Sequence, residues 1–221
     1  MRHFVRVVLA MASLLLLVPV AAAAQTQITI GPSTGGSVEF TNEGVGTAAM
    51  SFLGSCGATA NCVSGYAYIG SSAGTYDMWI TGNNPLLTAT ASPDVFAVNM
   101  NGGTLNFSFS VGSSSFAGTI QLTTLKDGTD APQILGTLTV STSTGIFAAL
   151  WRVGNVVPLD MTISLPQGSP FVGTVVSGGA GSTSGSVSSG EIIAAPEPTS
   201  IALIGSGLLA VGTMLKRRLR R

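Results

Sequence analysis

The sequence predicts an all-β domain, of a sandwich or jelly-roll-like kind, and three observations predict it. Between residues 25 and 176 no apolar pattern of helical period is sustained, whereas β-branched and aromatic residues alternate with Ser, Thr and Gly in short runs. Turn-forming residues separate those runs at close intervals, the pattern of a many-stranded antiparallel fold. A chain of 221 residues is long enough for one domain with a real core, and once its two hydrophobic ends are set aside little room remains for a second.

The first 24 residues predict a signal peptide. Arg2, His3 and Arg6 make a basic start, residues 7–18 an apolar run, and Ala21 to Ala24 the small residues read by a signal peptidase. Cleavage is expected between Ala24 and Gln25. A retained anchor is the competing reading, but the run is short and Pro19 interrupts its end.

Within the domain the clearest strand is Thr104–Val111, where Leu105, Phe107, Phe109 and Val111 share one face and Thr104, Asn106, Ser108 and Ser110 the other. Leu159, Met161, Ile163 and Leu165 repeat this alternation, as do Ile134, Leu138 and Val140 around Gly136. Residues 116–125 alternate until Thr123-Thr124 shifts the register, which predicts a bulge or a strand end, and residues 126–130 supply a turn. Further strands are expected at 27–30, 37–41, 66–69, 76–80, 94–99, 146–153 and 171–176. Residues 177–190 hold six Ser and five Gly, so 177–193 read as a flexible linker, with a last strand at 184–193 as the alternative.

From residue 194 the chain divides into three parts. Pro196, Glu197 and Pro198 form an extended, exposed stretch, because each proline fixes φ, removes an amide donor and pushes the residue before it away from helix. Residues 199–215 would make a transmembrane helix of about 26 Å, near the lower limit for a bilayer. Lys216, Arg217, Arg218, Arg220 and Arg221 would hold the end in the cytoplasm, leaving the proline pair at the outer face of the inner membrane. Gly205, Gly207 and Gly212 either weaken the span or let another helix approach it closely.

The Pro196-Glu197-Pro198 triplet, the glycine-containing span and the arginine-rich end together resemble the PEP-CTERM sorting signal, over roughly the last 26 residues. The resemblance implies recognition by an exosortase, a membrane-embedded cysteine transpeptidase-like enzyme that cuts near the triplet in Gram-negative bacteria making exopolysaccharide. Such tails also carry the label of an ice-binding protein C-terminal segment, which says nothing of the domain in front.

Charge and chemistry narrow the function. Residues 25–195 hold two basic residues, Lys126 and Arg152, against eight acidic ones, a net charge of −6, so the clustered basic face that nucleic acid needs is missing. His3 is the only histidine and leaves with the signal peptide, which removes the general base of Ser-His-Asp and Cys-His catalysis. Cys56 and Cys62, the only cysteines, are expected to form a local disulfide in an oxidising compartment; with no histidine beside them, a metal site is the weaker alternative. Glu39, Glu43, Asp77, Asp94 and Asp160 are nominal carboxylates for glycoside hydrolysis but form no recognisable constellation. Residues 127–130 lack the further acids of a calcium loop, so no cofactor is expected. Tyr66, Tyr68, Tyr76, Trp79 and Trp151 would stack on sugars if exposed together, or fill the core.

The expected protein is therefore not an enzyme. It is a structural or adhesive component of the cell surface or exopolysaccharide matrix, exported, briefly membrane-anchored, and processed by signal peptidase and exosortase. A non-catalytic carbohydrate-binding module is the alternative, and a glycan-active enzyme or an uncut membrane-anchored β-domain are the remaining rivals.

Overall fold

Alternation of apolar and polar residues decides which face of a strand turns inward, and the computed structural model has fourteen strands among its described residues. The structure describes residues 27–127 and 131–194. The signal segment with its Ala24–Gln25 junction, the Pro196-Glu197-Pro198 triplet, the 199–215 span, the basic tail and the end of the 126–130 turn lie outside the described residues.

The strands are β1 (Gln27–Gly35), β2 (Ser37–Gly44), β3 (Thr47–Leu53), β4 (Ser55–Cys56), β5 (Thr59–Ala60), β6 (Cys62–Ile69), β7 (Ser72–Thr81), β8 (Leu86–Ala89), β9 (Val95–Asn99), β10 (Thr104–Val111), β11 (Ser114–Lys126), β12 (Gln133–Ser143), β13 (Val156–Ser164) and β14 (Ser182–Ile193). Among the described residues one short α-helix, α1, spans Val172–Val176. The protein is all-β, as its sequence predicts. Among the described residues no helix is long and apolar enough to cross a membrane.

Strands β11 to β14 pair in sequence order into a four-stranded wall. At each side of this wall the outermost strand serves two partners. The far edge of β14 pairs with β2 through Ser182 to Gly185 and with β1 through Gly190 to Ile193. The far edge of β11 pairs with β10 through Ser114 to Ile120 and with β9 through Thr124 to Lys126. The sheet therefore closes into two circuits that share the wall, one through β1, β6, β7 and β10, the other through β2, β3, β8 and β9. Each strand of this twelve-stranded sheet has a partner on both sides, so no whole strand is left as an open edge to template pairing with another chain.

Two local features make the shared wall possible. The expected irregularity in β11 is a bulge: Leu122 pairs with Gly136 and Thr124 with Leu135, and beyond that shift β11 continues and takes β9 as its outer neighbour. At the corner between β1 and β2, Gly36 has φ +75, and a Cβ there would lie 2.4 Å from the Cys62 carbonyl oxygen, so this corner requires glycine.

The core holds the inward residues of both circuits. Leu105, Phe107 and Phe109 of β10 are fully buried, as is Ile163 of β13, with Leu159, Met161 and Leu165 nearly so. A chain of rings runs through it: Tyr76 stacks on Phe107, Phe107 meets Phe116 edge-on, and Phe116 touches Phe147 and Trp151. Each such side chain contributes roughly 1.5–3 kcal/mol by leaving water.

Three segments differ from the sequence expectation. Residues 146–153 are not a strand: Gly145 at φ +58 turns the chain into a 3-10 turn over Gly145–Phe147, which drops Phe147 and Trp151 into the core. Residues 171–176 hold α1, whose buried Val172, Val175 and Val176 follow helical spacing. In the Ser- and Gly-rich segment the structure shows the alternative reading, a last strand, in place of a linker: β14, one of the two wall strands at which the circuits branch, carries the domain to Ile193. Strands β3, β4, β5 and β8 are not marked by the sequence pattern.

Candidate functional site

Cross-strand partners point to the same side of a sheet, and residues two apart on one strand do too. On β6 the inward set is Val63, Gly65, Ala67 and Ile69, which leaves Cys62, Ser64, Tyr66 and Tyr68 on the outer face. The register with β7 adds Trp79 opposite Cys62, Asp77 opposite Ser64, Thr75 opposite Tyr66 and Ala73 opposite Tyr68. Across β7, strand β10 places Asn106 beside Trp79, Ser108 beside Asp77 and Ser110 beside Thr75. One outer face thus collects two tyrosines, a tryptophan, one carboxylate and a border of hydroxyl and amide groups.

Tyr66 and Tyr68 are 52% and 44% exposed, which distinguishes them from Tyr76 and Trp151, both fully buried. Trp79 is half-buried. Small neighbours leave the tyrosines uncovered: Tyr68 lies between Thr29 and Ala73. A Cβ at Gly31 would touch the Tyr68 ring at 3.4 Å and lie 2.8 Å from the Tyr66 carbonyl oxygen, so a larger residue there would press on the backbone of β6. Tyr76, on the opposite side of β7, donates its hydroxyl to the Gly31 carbonyl of β1 at 3.3 Å; burial, with Asp77 adding to it, raises its phenol far above the usual range.

One end of the face is roofed. Strands β4 and β5 form a small hairpin, and the Cys56–Cys62 disulfide ties it down, so that Cys62 is fully buried although it belongs to the outer set. Closing so short a loop is worth about 2 kcal/mol in the chain-entropy account. The Asp77 carboxylate lies within 4.8 Å of both sulfurs, and burial raises its pKa. Because both sulfurs are in the disulfide they offer no thiolates, and this trio is not a metal site.

Beyond the hairpin, Asn61 precedes Cys62 and Gly82 follows Thr81, and both line an open groove of about 680 Å³ with Glu43, Thr47, Ala49, Asn83, Asn84, Leu86 and Asn101. Asn61 and Asn101 both have φ +52, a left-handed conformation that asparagine tolerates better than most residues. Asn83 Nδ2 donates to the Asn101 carbonyl at 3.0 Å and fixes one wall. Glu43 is the only carboxylate lining this groove, whereas paired-carboxylate hydrolysis needs two.

The remaining acids lie outside the groove. Glu39 sits on β2 opposite Ser51 and Ser184, and Asp94 precedes β9. Asp160 on β13 faces Glu191 on β14, a pair the sequence did not suggest, on the outer side of the wall and away from the groove. Burial raises the Asp160 pKa, while a 2.6 Å hydrogen bond from Gln133 and the charge of Lys126 oppose the rise. Asp127 is buried, accepting the Gly173 amide of α1 at 2.6 Å; burial and the charge of Asp94 raise its pKa against the pull of the Gly173 and Val172 amides.

Sequence reasoning named Tyr66, Tyr68 and Trp79 without their facing, and missed Asn61, Asn83, Asn84 and Asn101. Asn83, Asn84 and Asn101 read as turn residues beside Gly82, Pro85 and Gly102, Asn61 precedes Cys62, and only the fold brings the four to one groove. No family model, curated protein or solved structure matches the chain.

Proposed function

We propose that this chain is an exported, exosortase-sorted structural or adhesive protein of the cell surface or exopolysaccharide matrix, built on a β-sandwich-like domain without catalysis. The observation that carries the reading is the sequence of the end: Pro196, Glu197 and Pro198, then the 199–215 span, then the basic tail, behind an amino-terminal export signal. The domain in front is suited to that destination, since its sheet presents no whole unpaired strand and its crosslink belongs to an oxidising compartment. Fractionation of the native host tests it. The protein should be surface-bound or secreted where exosortase is present and held in the inner membrane where it is deleted; the same distribution in both strains would refute sorting.

A second reading, a non-catalytic carbohydrate-binding module, is favoured by one specific observation: Tyr66, Tyr68 and Trp79 share the outer face of β6 and β7.

A further inference from the structure

We infer that the outer face of β6 and β7 is a binding strip for an uncharged polysaccharide chain, with Tyr68, Tyr66 and Trp79 as its stacking residues. This deepens the second reading above and rests on it.

The geometry is that of a strip. Tyr66 and Tyr68 are two residues apart, about 7 Å along the strand, and Trp79 stands opposite Cys62, six residues from Tyr68 and about 20 Å away along β6. A row of that length fits several linked sugar rings better than one. Aromatic rings offer apolar faces to the C–H faces of sugars, and Thr75, Ser64, Ser108, Ser110 and Asn106 beside them supply neutral hydrogen-bonding groups for hydroxyls. The face is already extended and sheet-borne, so little ordering cost opposes binding.

The charge of the face selects the ligand. Its one ionisable acid is Asp77, and neither described basic residue lies on it: Lys126 ends β11 and Arg152 lies between β12 and β13. An anionic polysaccharide would meet a carboxylate and no cation there. The β4–β5 hairpin, pinned by Cys56–Cys62, stands at the Trp79 end and limits the strip to one direction.

Affinity electrophoresis of the full chain in a sugar-free detergent tests this, in gels containing hydroxyethylcellulose, laminarin or galactomannan as neutral probes, alginate as an anionic one and chitosan as a cationic one. At least one neutral polymer should retard the protein, equally at low and high NaCl, with free glucose competing poorly. Tyr66→Ala/Tyr68→Ala should weaken retardation roughly tenfold with an unchanged melting curve, and Thr139→Ala, on the outer side of the wall, should leave it unaltered. Titration with the neutral polymer that retards the protein should shift its tryptophan fluorescence, and Trp79→Phe should abolish that shift, because Trp151 is buried in the core; a shift that persists in Trp79→Phe would overturn the placing of Trp79 on the strip. Preference for alginate or chitosan, retardation by no neutral polymer, or full binding by the double tyrosine variant would overturn the inference. A chain that is sorted by exosortase yet retarded by no glycan would remove the strip and leave the sorting proposal standing.

Discussion

Replacing Gly185 by alanine separates a strand from a linker within one Ser- and Gly-rich segment. A Cβ at Gly185 would lie 2.4 Å from the Ser164 carbonyl oxygen, 2.9 Å from Ile163 Cγ2 and 3.0 Å from Leu165 Cδ2. Backbone cannot yield as a side-chain tip can, so β14 must shift from β13, an overpacking cost of about 1–3 kcal/mol. Gly181 is the internal control: a Cβ there meets nothing within 4 Å and its φ is not positive, so alanine should be neutral or stabilise by about 0.4–1 kcal/mol through the unfolded chain. In urea, with a slope of about 2 kcal/mol per molar, a 2 kcal/mol loss moves the midpoint by about 1 M. Equal midpoints for Gly185→Ala and Gly181→Ala would refute the assignment of this segment as a packed strand.

Phe116→Ala should destabilise the domain by about 3–5 kcal/mol, the range for a buried phenylalanine, because its ring meets Phe107, Phe147 and Trp151; urea unfolding reads it, and a loss below about 1 kcal/mol would contradict the ring chain as core. Cys56→Ala/Cys62→Ala should cost about 2 kcal/mol yet leave the far-ultraviolet circular dichroism unchanged, since the disulfide pins a hairpin and not the sheet. Asp127→Asn should raise stability at neutral pH. Burial raises the folded-state pKa of Asp127 above its unfolded value, so the folded chain holds the proton more tightly, and stability contributed by this group grows as pH falls through the folded pKa. Asparagine keeps an acceptor for the Gly173 amide and removes the charge; urea midpoints across pH should therefore be flatter for the variant, and an unchanged pH slope would sink the explanation.

Strands with strict alternation were legible in the sequence because burial there depends on a period of two and little else. Thr104–Val111 shows it, with Leu105, Phe107 and Phe109 all inward. Strand β14 alternates too, burying Thr183, Gly185, Val187, Gly190 and Ile192, but three of the five are Thr or Gly, so apolar periodicity barely registers; close packing against β13 makes small residues necessary there. Helix α1 carried a readable spacing in Val172, Val175 and Val176, yet it is too short for that spacing to outweigh a run of β-branched residues. The candidate strip was half legible. Its aromatics stood out as residue types, but their facing follows from Val63, Gly65, Ala67 and Ile69 turning inward, and two of those four are too small to announce a core face. The groove of asparagines depends on loops far apart in sequence and had no local signal.

The location of the last strand gives the sorting proposal its sharpest test. Both circuits depend on β14, which ends at Ile193, so processing that releases a folded domain must cut beyond it. The intact mass of the secreted form from the native host, with and without exosortase, measures this directly. The account predicts a chain beginning at Gln25 and ending between Ala194 and Pro198, seen only when exosortase is present. A secreted chain ending before Ile193, or one keeping Arg221 in both strains, would contradict it.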